Sequence, residues 1–152
     1  MNPLLLGLGL WLLLSTSLAT TLPPYSQRYD SERDPFADGH QALAIARDTQ
    51  RKVIIEVGGD WCVWCHKLDQ FIQANPPLYS ALHQHFVVLK VNVSDANGNE
   101  KFLSAFPKPL GYPHIYVADA QGQLLHSQDT AEFLHQGEYS ASNFIRFINQ
   151  WK

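Results

Sequence analysis

The sequence predicts an α/β domain, a three-layer sandwich in which helices flank a mixed central sheet. Short apolar runs rich in β-branched residues occur at 53–57, 86–93 and 112–117, as is typical of buried strands. The stretches between them place apolar residues three and four positions apart, as in helices that lie on a sheet. The chain has 152 residues, of which 45% are hydrophobic, so one domain with a sizeable core is expected.

The first 19 residues are predicted to be a signal peptide. Residues 4–14 form an almost unbroken apolar run, and Ser17 and Ala19 place small side chains where a signal peptidase requires them. The run is shorter than the roughly 20 apolar residues of a membrane span. No Lys or Arg precedes it, so an uncleaved N-terminal anchor stays open as an alternative. We therefore expect a periplasmic or secreted protein that meets a membrane only through this segment, if it is uncleaved.

Residues 20–35 are polar and contain Pro23 and Pro24, which predicts an irregular lead-in with a short edge strand at 25–29. The domain itself is expected to cover residues 36–152. The net charge is −3 and no cluster of basic residues occurs, so nucleic acid is not an expected partner. We expect a monomer.

The first helix is predicted from a capping box in which Asp38 is the N-cap and Gln41 the third helical residue. It should end near residue 50. The further predicted elements are a strand at 53–57, a helix at 62–75, a short helix at 78–85, a strand at 86–93, a polar turn at 94–99, a short helix at 100–106, a rigid loop at 107–111, a strand at 112–117, a hairpin strand at 123–126 and a helix at 140–151.

Cys62 and Cys65 are the only two cysteines, and they lie where the strand at 53–57 gives way to a helix. A helix N-terminus stabilises a thiolate, which is the attacking species in disulfide exchange. A structural disulfide that closes so small a ring would contribute little loop entropy. The pair is therefore better explained by redox chemistry than by a role as a stabilising structural disulfide.

Three other side chains near this pair are candidates for a role. Glu56 lies inside an apolar strand, where a carboxylate is costly without a partner or a function. His66 lies one helical turn after Cys62 and either stabilises its thiolate or simply faces solvent. Trp64 is expected to be exposed, so that it contacts a partner protein or packs on the loop at 110–112.

Haem attachment and zinc binding are two other functions that use cysteine and histidine residues. The residues from Cys62 to His66 spell C-x-x-C-H, the attachment pattern of c-type haem, but the only methionine is Met1 and would lie in the signal peptide. A structural zinc site needs four ligands. His66, or His83 with His85, would have to complete it, and no spacing fixes them near the cysteines. We therefore expect neither a metal nor a cofactor.

With these residues, the chain resembles the thioredoxin superfamily over residues 36–152. The resemblance lies in the apolar strand at 53–57, the Trp-Cys-x-x-Cys motif and its helix, and an x-Pro about fifty residues later before another strand. The chain is most similar to exported thioredoxin-like proteins, including the C-terminal periplasmic domain of the transmembrane thiol–disulfide interchange reductase.

The resemblance implies roles for the residues of the motif. Cys62 matches the exposed cysteine that attacks a substrate disulfide, and Cys65 matches the buried cysteine that resolves the mixed disulfide. Glu56 stands where thioredoxins carry a buried Asp that helps to move a proton at the resolving cysteine.

The resemblance also implies a substrate-binding surface. Pro113 matches a cis-proline that packs against the active cysteines, so the Tyr112–Pro113 bond should be cis, and Trp61 matches the tryptophan that flanks the motif. Protein substrates are expected to dock in extended form beside Pro113, with Trp64 and Tyr112 as further contacts.

The expected function is an exported thiol–disulfide oxidoreductase that acts on protein disulfides and needs a redox partner to reset it. The Val63-Trp64 pair brings no charge to stabilise the thiolate, which favours a reductase over an oxidant. The alternative from another class is a non-catalytic thioredoxin-like binding module that keeps its disulfide closed.

Overall fold

The computed structural model describes residues 28–152. The predicted signal peptide at 1–19 and most of the lead-in lie outside the described residues, as do positions 25–27 of the predicted edge strand. Arg28 and Tyr29, which complete that segment, belong to no strand. Within residues 28–152, no helix combines the length and the apolar character needed to cross a membrane.

The described residues form five α-helices, one 3-10 helix and six strands. In chain order they are α1 (Pro35–Thr49), β1 (Lys52–Gly58), α2 (Val63–Gln73), α3 (Pro76–His85), β2 (Phe86–Asn92), α4 (Glu100–Leu103), β3 (His114–Ala118), β4 (Leu124–Asp129), the 3-10 helix (Thr130–Phe133), β5 (Leu134–His135), β6 (Glu138–Tyr139) and α5 (Ala141–Trp151).

The main sheet has the strand order β2-β1-β3-β4. Strand β1 pairs in parallel with β2, with Ile54 opposite Val88, and antiparallel with β3, with Ile54 opposite Val117. Strand β4 adds an antiparallel hairpin to β3. The predicted α/β class and mixed central sheet are thereby confirmed.

The two faces of this sheet carry two separate apolar cores, because successive strand residues point to opposite faces. Val53, Ile55 and Val57 of β1 pack with residues of α1 and α4. Ile54 packs on the other face with residues of α2, α3 and α5. The alternation places Glu56 on the same face as Ile54, so its carboxylate lies between the sheet and α2.

The predicted capping box is wrong. The N-cap of α1 is Asp34, whose carboxylate accepts a hydrogen bond from the Phe36 amide at 2.9 Å. Pro35 occupies the first helical position, where its missing N–H costs no hydrogen bond. Asp38 lies one turn inside the helix, where it is buried and paired with Arg33 at 2.5 Å. The proline therefore starts the helix four residues earlier than the Asp38 pattern indicates.

Two further predicted boundaries were wrong for local reasons. Helix α3 begins at Pro76 rather than at residue 78, because Pro76 also fits the first turn of a helix. Helix α4 spans only Glu100–Leu103, where residues 100–106 were predicted. The small hairpin of β5 and β6 was not predicted.

Candidate active site

Cys62 and Cys65 form a disulfide at the N-terminus of α2. Cys65 is 0% exposed, as expected for a resolving cysteine, but Cys62 is only 4% exposed, so its expected exposure was wrong. In this oxidised state the disulfide packs with Tyr29 on one side and the half-buried Tyr112 ring beside it. A substrate must therefore meet Cys62 after the site is reduced or its aromatic cover moves.

The start of α2 is built to hold a sulfur anion. Cys62 is the N-cap of the helix, and its Sγ accepts a hydrogen bond from the Cys65 amide at 3.2 Å. Once the disulfide is reduced, the same amide and the helix dipole stabilise a thiolate at Cys62. This geometry supports Cys62 as the attacking sulfur, as the sequence indicated.

The Tyr112–Pro113 bond is cis, which confirms the prediction made from the resemblance. The Pro113 carbonyl accepts a hydrogen bond from the Thr130 hydroxyl at 2.6 Å, which fixes the loop before β3. A groove of about 310 Å³ runs beside the proline. Its lining includes Trp64, Leu110, Gly111, Tyr112, Pro113, Thr130 and Tyr139.

Two tryptophans border this region. The Trp61 indole N–H donates to the Val93 carbonyl at 2.6 Å, and its ring meets that of Tyr112 edge-on at 5.7 Å. Trp64 is 38% exposed and meets Tyr139 edge-on at 5.8 Å. Both rings are thus partly exposed, and the Lys67 ammonium lies 4.3 Å from the centre of the Trp64 ring.

Glu56 lies in a buried ionic cluster behind the disulfide. Its Oε1 lies 3.6 Å from the Lys90 ammonium of β2, which also binds both carboxylate oxygens of Asp69 on α2. Burial raises the pKa of the Glu56 carboxyl, and the Lys90 charge opposes that rise. Glu56, Asp69 and Lys90 border a cavity of about 530 Å³.

Tyr29 is one residue of this site that sequence reasoning missed. It comes from the irregular segment before α1, yet it is buried and its hydroxyl donates to Glu56 Oε1 at 2.5 Å. The Lys90 ammonium lies 4.8 Å from the centre of its ring. The sequence predicts only an irregular lead-in with a short edge strand at 25–29, and this pattern gives no reason to place Tyr29 beside Glu56.

Gly58, at the end of β1, leaves room for the Cys65 sulfur and the Tyr29 hydroxyl to lie close to its backbone. A Cβ at this position would lie 2.5 Å from Cys65 Sγ and 2.8 Å from the Tyr29 hydroxyl oxygen. These distances are shorter than any real Cβ contact, so only glycine fits here without rearrangement. The sulfur and the phenol therefore border the same small space.

His66 is exposed, and its Nε2 donates to the Asp60 carbonyl at 2.7 Å. The ring is therefore held by the loop that precedes Cys62. Among residues 28–152, no group of three or more His, Cys, Asp or Glu side chains is arranged to hold a metal ion. Attachment of a c-type haem would use both sulfur atoms, which here are bonded to each other.

Replacing Glu56 by glutamine should slow the resolving step of disulfide exchange more than it harms folding. A neutral amide cannot accept a proton near Cys65, and loss of one positioned general base typically costs roughly 100-fold or more. In the wild-type protein the rate should fall as the pH drops through the raised pKa of Glu56. That acidic limb should be absent in Glu56→Gln, and an unchanged pH–rate profile would remove Glu56 from the mechanism.

Comparisons with known proteins agree with this geometry. A family model described as thioredoxin-like matches residues 34–120, more than half of the chain. The thiol:disulfide interchange protein DsbD of Salmonella paratyphi A is 31% identical over 102 residues, which is 67% of this chain and 18% of that protein. The protein of the same name from Vibrio vulnificus is 27% identical over 99 residues, 65% of this chain and 16% of that protein. The chain thus spans less than a fifth of these relatives.

Solved structures extend the likeness in fold beyond the matched family region. A disulphide isomerase from Xylella fastidiosa Temecula1 superposes with a TM-score of 0.69 at 24% identity, over 87% of this chain and 98% of that one. The oxidised C-terminal domain of Neisseria meningitidis DsbD gives a TM-score of 0.62 at 16% identity, over 82% and 99%. Together with the family model and the mixed sheet, these findings establish that the chain belongs to the thioredoxin-like family.

Proposed function

We propose that this chain is a thiol–disulfide oxidoreductase that exchanges disulfides with protein substrates. The observation that carries the proposal is the Cys62–Cys65 disulfide at the N-terminus of α2, beside cis-Pro113 and in front of the buried Glu56. The names of the DsbD relatives and of the Xylella disulphide isomerase support the same chemistry.

In the proposed reaction, the Cys62 thiolate attacks one sulfur of a substrate disulfide and expels the other as a thiolate. The resulting mixed disulfide joins Cys62 to the substrate. Cys65 loses its proton and attacks Cys62 Sγ, which forms the Cys62–Cys65 bond and releases the second substrate sulfur as a thiolate. The substrate gains two electrons and the protein loses two, so a redox partner must reduce the pair again.

The surface around the cysteines favours a protein substrate over a small molecule. Trp61 is 57% exposed, Val63 66% and Leu110 84%, an unusual concentration of open apolar side chains around one site. The groove beside Pro113 lies among them, and an extended peptide fits it through backbone pairing with the loop before β3. Trp64 and Tyr112 would flank such a peptide.

We place the protein in the periplasm or outside the cell, as a monomer. The support for this location is the predicted signal peptide at 1–19, which lies outside the described residues. The redox partner would then be a membrane-linked or soluble dithiol carrier of the same compartment.

An equilibrium redox titration of the full-length chain tests this function and its direction. Because the Val63-Trp64 pair adds no positive charge beside Cys62, we expect a reductase-like potential near the thioredoxin value of about −270 mV. Thiol alkylation followed by mass spectrometry reads the fraction of reduced pair at each ratio of reduced to oxidised dithiothreitol.

The other outcomes of the titration are equally informative. A midpoint near about −120 mV would indicate an oxidant that donates its disulfide and would overturn the reductase assignment. A pair that never equilibrates with the buffer would favour the alternative function, a binding module whose groove docks partners while the disulfide stays closed.

A further inference from the structure

We propose that the Tyr29 hydroxyl carries the proton between Cys65 and Glu56 during resolution of the mixed disulfide. This inference rests on the proposed function, since it concerns a step of that reaction. It assigns a role to the segment before α1, which neither the motif nor the matched family region at 34–120 includes.

The Tyr29 hydroxyl lies close to both Glu56 and Cys65. The Tyr29 oxygen lies 2.5 Å from Glu56 Oε1, within hydrogen-bond distance. The same oxygen and Cys65 Sγ both border the space above Gly58, where a Cβ would touch each of them. The phenol oxygen therefore contacts the carboxylate that can accept a proton and lies on the same side of Gly58 as the sulfur that must lose one.

Burial makes such a carrier necessary. Cys65 is 0% exposed, and Tyr29 and Cys62 close over it in one cluster. A proton cannot pass from this sulfur to bulk water directly while the cluster is closed. A hydroxyl both donates and accepts, so Tyr29 can receive one proton while it gives up another.

The charges around the phenol keep it neutral. Burial and the nearby Glu56 carboxylate raise the pKa of Tyr29 well above its usual value, and Asp69 and Tyr139 act in the same direction. The Lys90 ammonium faces the ring from β2, and its charge opposes the rise that burial causes in the pKa of Glu56. Tyr29 thus keeps its proton at neutral pH and transfers it only in exchange for another.

Two protons move during the resolving step, and one disulfide replaces another. The Cys65 S–H bond breaks and its proton bonds to the Tyr29 oxygen, while the original phenolic proton moves to Glu56 Oε1. The Cys65 thiolate attacks Cys62 Sγ, the Cys62–Cys65 bond forms, and the substrate sulfur leaves with the electron pair of the old bond. Glu56 ends as a neutral carboxylic acid, and Tyr29 is unchanged.

Ellman's reagent, a small aromatic disulfide, separates the two sulfur steps. When the reduced full-length chain is mixed with it, the attack by Cys62 releases one coloured thiolate and the attack by Cys65 releases a second. The rate of each phase is followed at several pH values for the wild type, Tyr29→Phe and the control Tyr116→Phe. The control removes another buried phenolic hydroxyl, which donates to the Pro107 carbonyl on the other face of the sheet.

We expect Tyr29→Phe to leave the first phase unchanged and to slow the second by roughly 100-fold at pH 7. The hydroxyl also stabilises the Glu56 carboxylate, so its loss raises the pKa of Glu56 further. The acidic limb of the second phase should therefore move to higher pH. The difference in second-phase rate between the wild type and Tyr29→Phe should become smaller at alkaline pH, where Cys65 loses its proton to hydroxide. Tyr116→Phe should leave both phases and their pH profiles unaltered.

A double variant tests whether Tyr29 acts through Glu56. In the Glu56→Gln background the same Tyr29→Phe change should add little further slowing, because the acceptor is already lost. Equal slowing in both backgrounds, or equal slowing of both phases, would overturn the proton-carrying role and leave a packing role. Absence of the first phase in the wild type would instead overturn the proposed function itself.

A solvent-isotope measurement keeps the inference open to test if Tyr29→Phe folds poorly. Two protons move in the proposed step, so the second-phase rate of the wild type should fall along a curved line as the D₂O fraction rises. A linear dependence would indicate a single moving proton and would contradict the proposal.

Discussion

Replacing Cys62 by serine should abolish disulfide reduction, with a loss of at least about 1,000-fold, while the domain stays folded. A serine hydroxyl stays protonated at neutral pH, whereas the cysteine at the start of α2 is held as a thiolate by the Cys65 amide. Reduction of insulin by the full-length chain, with dithiothreitol as the electron source, measures the loss.

Cys65→Ser is the matched control for this experiment. It keeps the attacking sulfur and removes the resolving one, so mixed disulfides with insulin should accumulate and should disappear on addition of reductant. Cys62→Ser should form none, because Cys65 is fully buried. If Cys62→Ser retained substantial activity, the direction of attack proposed here would be wrong, and full biological function in that variant would favour the binding module.

Replacing Lys90 by methionine should destabilise the protein by about 3–5 kcal/mol, which is large against the 5–15 kcal/mol that stabilises most domains. Methionine fills a similar volume but leaves Glu56 and Asp69 without the ammonium that contacts both. Unfolding in urea, followed by tryptophan fluorescence, gives the change in the free energy of unfolding.

The cost of Lys90→Met should depend on pH with a defined sign. Loss of the ammonium raises the pKa of Glu56 further above its ordinary value of 4.5, so the folded state holds a proton that the unfolded state releases. The destabilisation should therefore be smallest below about pH 4.5 and should grow as the pH rises. Lys101→Met, on the exposed side of α4, removes the same charge and should change stability little at any pH. A pH-independent loss for Lys90→Met would show that packing, not charge, is the cause.

Local sequence patterns were sufficient to predict the strands and the helix that position the cysteines. Three local features each predict structure from neighbouring residues: the apolar run at 53–57, the spacing of Cys62 and Cys65, and the proline at 113. The resemblance to the thioredoxin superfamily placed all three in one site. Strands β1 and β3 lie within a residue or two of their predicted ends for the same reason. A buried strand and a helix N-terminus leave strong signals over five to ten residues.

The ionic cluster depends on contacts between distant positions, and there sequence reasoning was incomplete. Glu56 was noticed because a carboxylate interrupts an apolar strand. Lys90 gives the same signal in the run at 86–93, and an isolated ammonium in a buried strand also needs a partner. Parallel pairing then sets Glu56 opposite Lys90, a contact that the strand register makes and the sequence order does not reveal.

Tyr29 and the start of α1 were missed for a different reason. Asp34 and Asp38 both precede plausible first turns, and the choice between them depended on Pro35 at the first helical position. Tyr29 lies in a segment that was predicted to be irregular with a short edge strand, 27 positions before its partner Glu56. Nothing local distinguishes it from Tyr25 in the same segment, so the sequence alone gives no reason to place Tyr29 beside Glu56.

The cavity at Asp69 and the groove beside Pro113 share no lining residue. A protein docked over the groove would exclude water from the cysteines, yet it would leave the cavity that Glu56 borders open to solvent. Electrons would then be exchanged at the groove, which the docked protein covers. Protons would pass through the cavity that Glu56 borders, which stays open to solvent. The enzyme–substrate complex can be sealed at one face and still exchange its proton with the medium at the other.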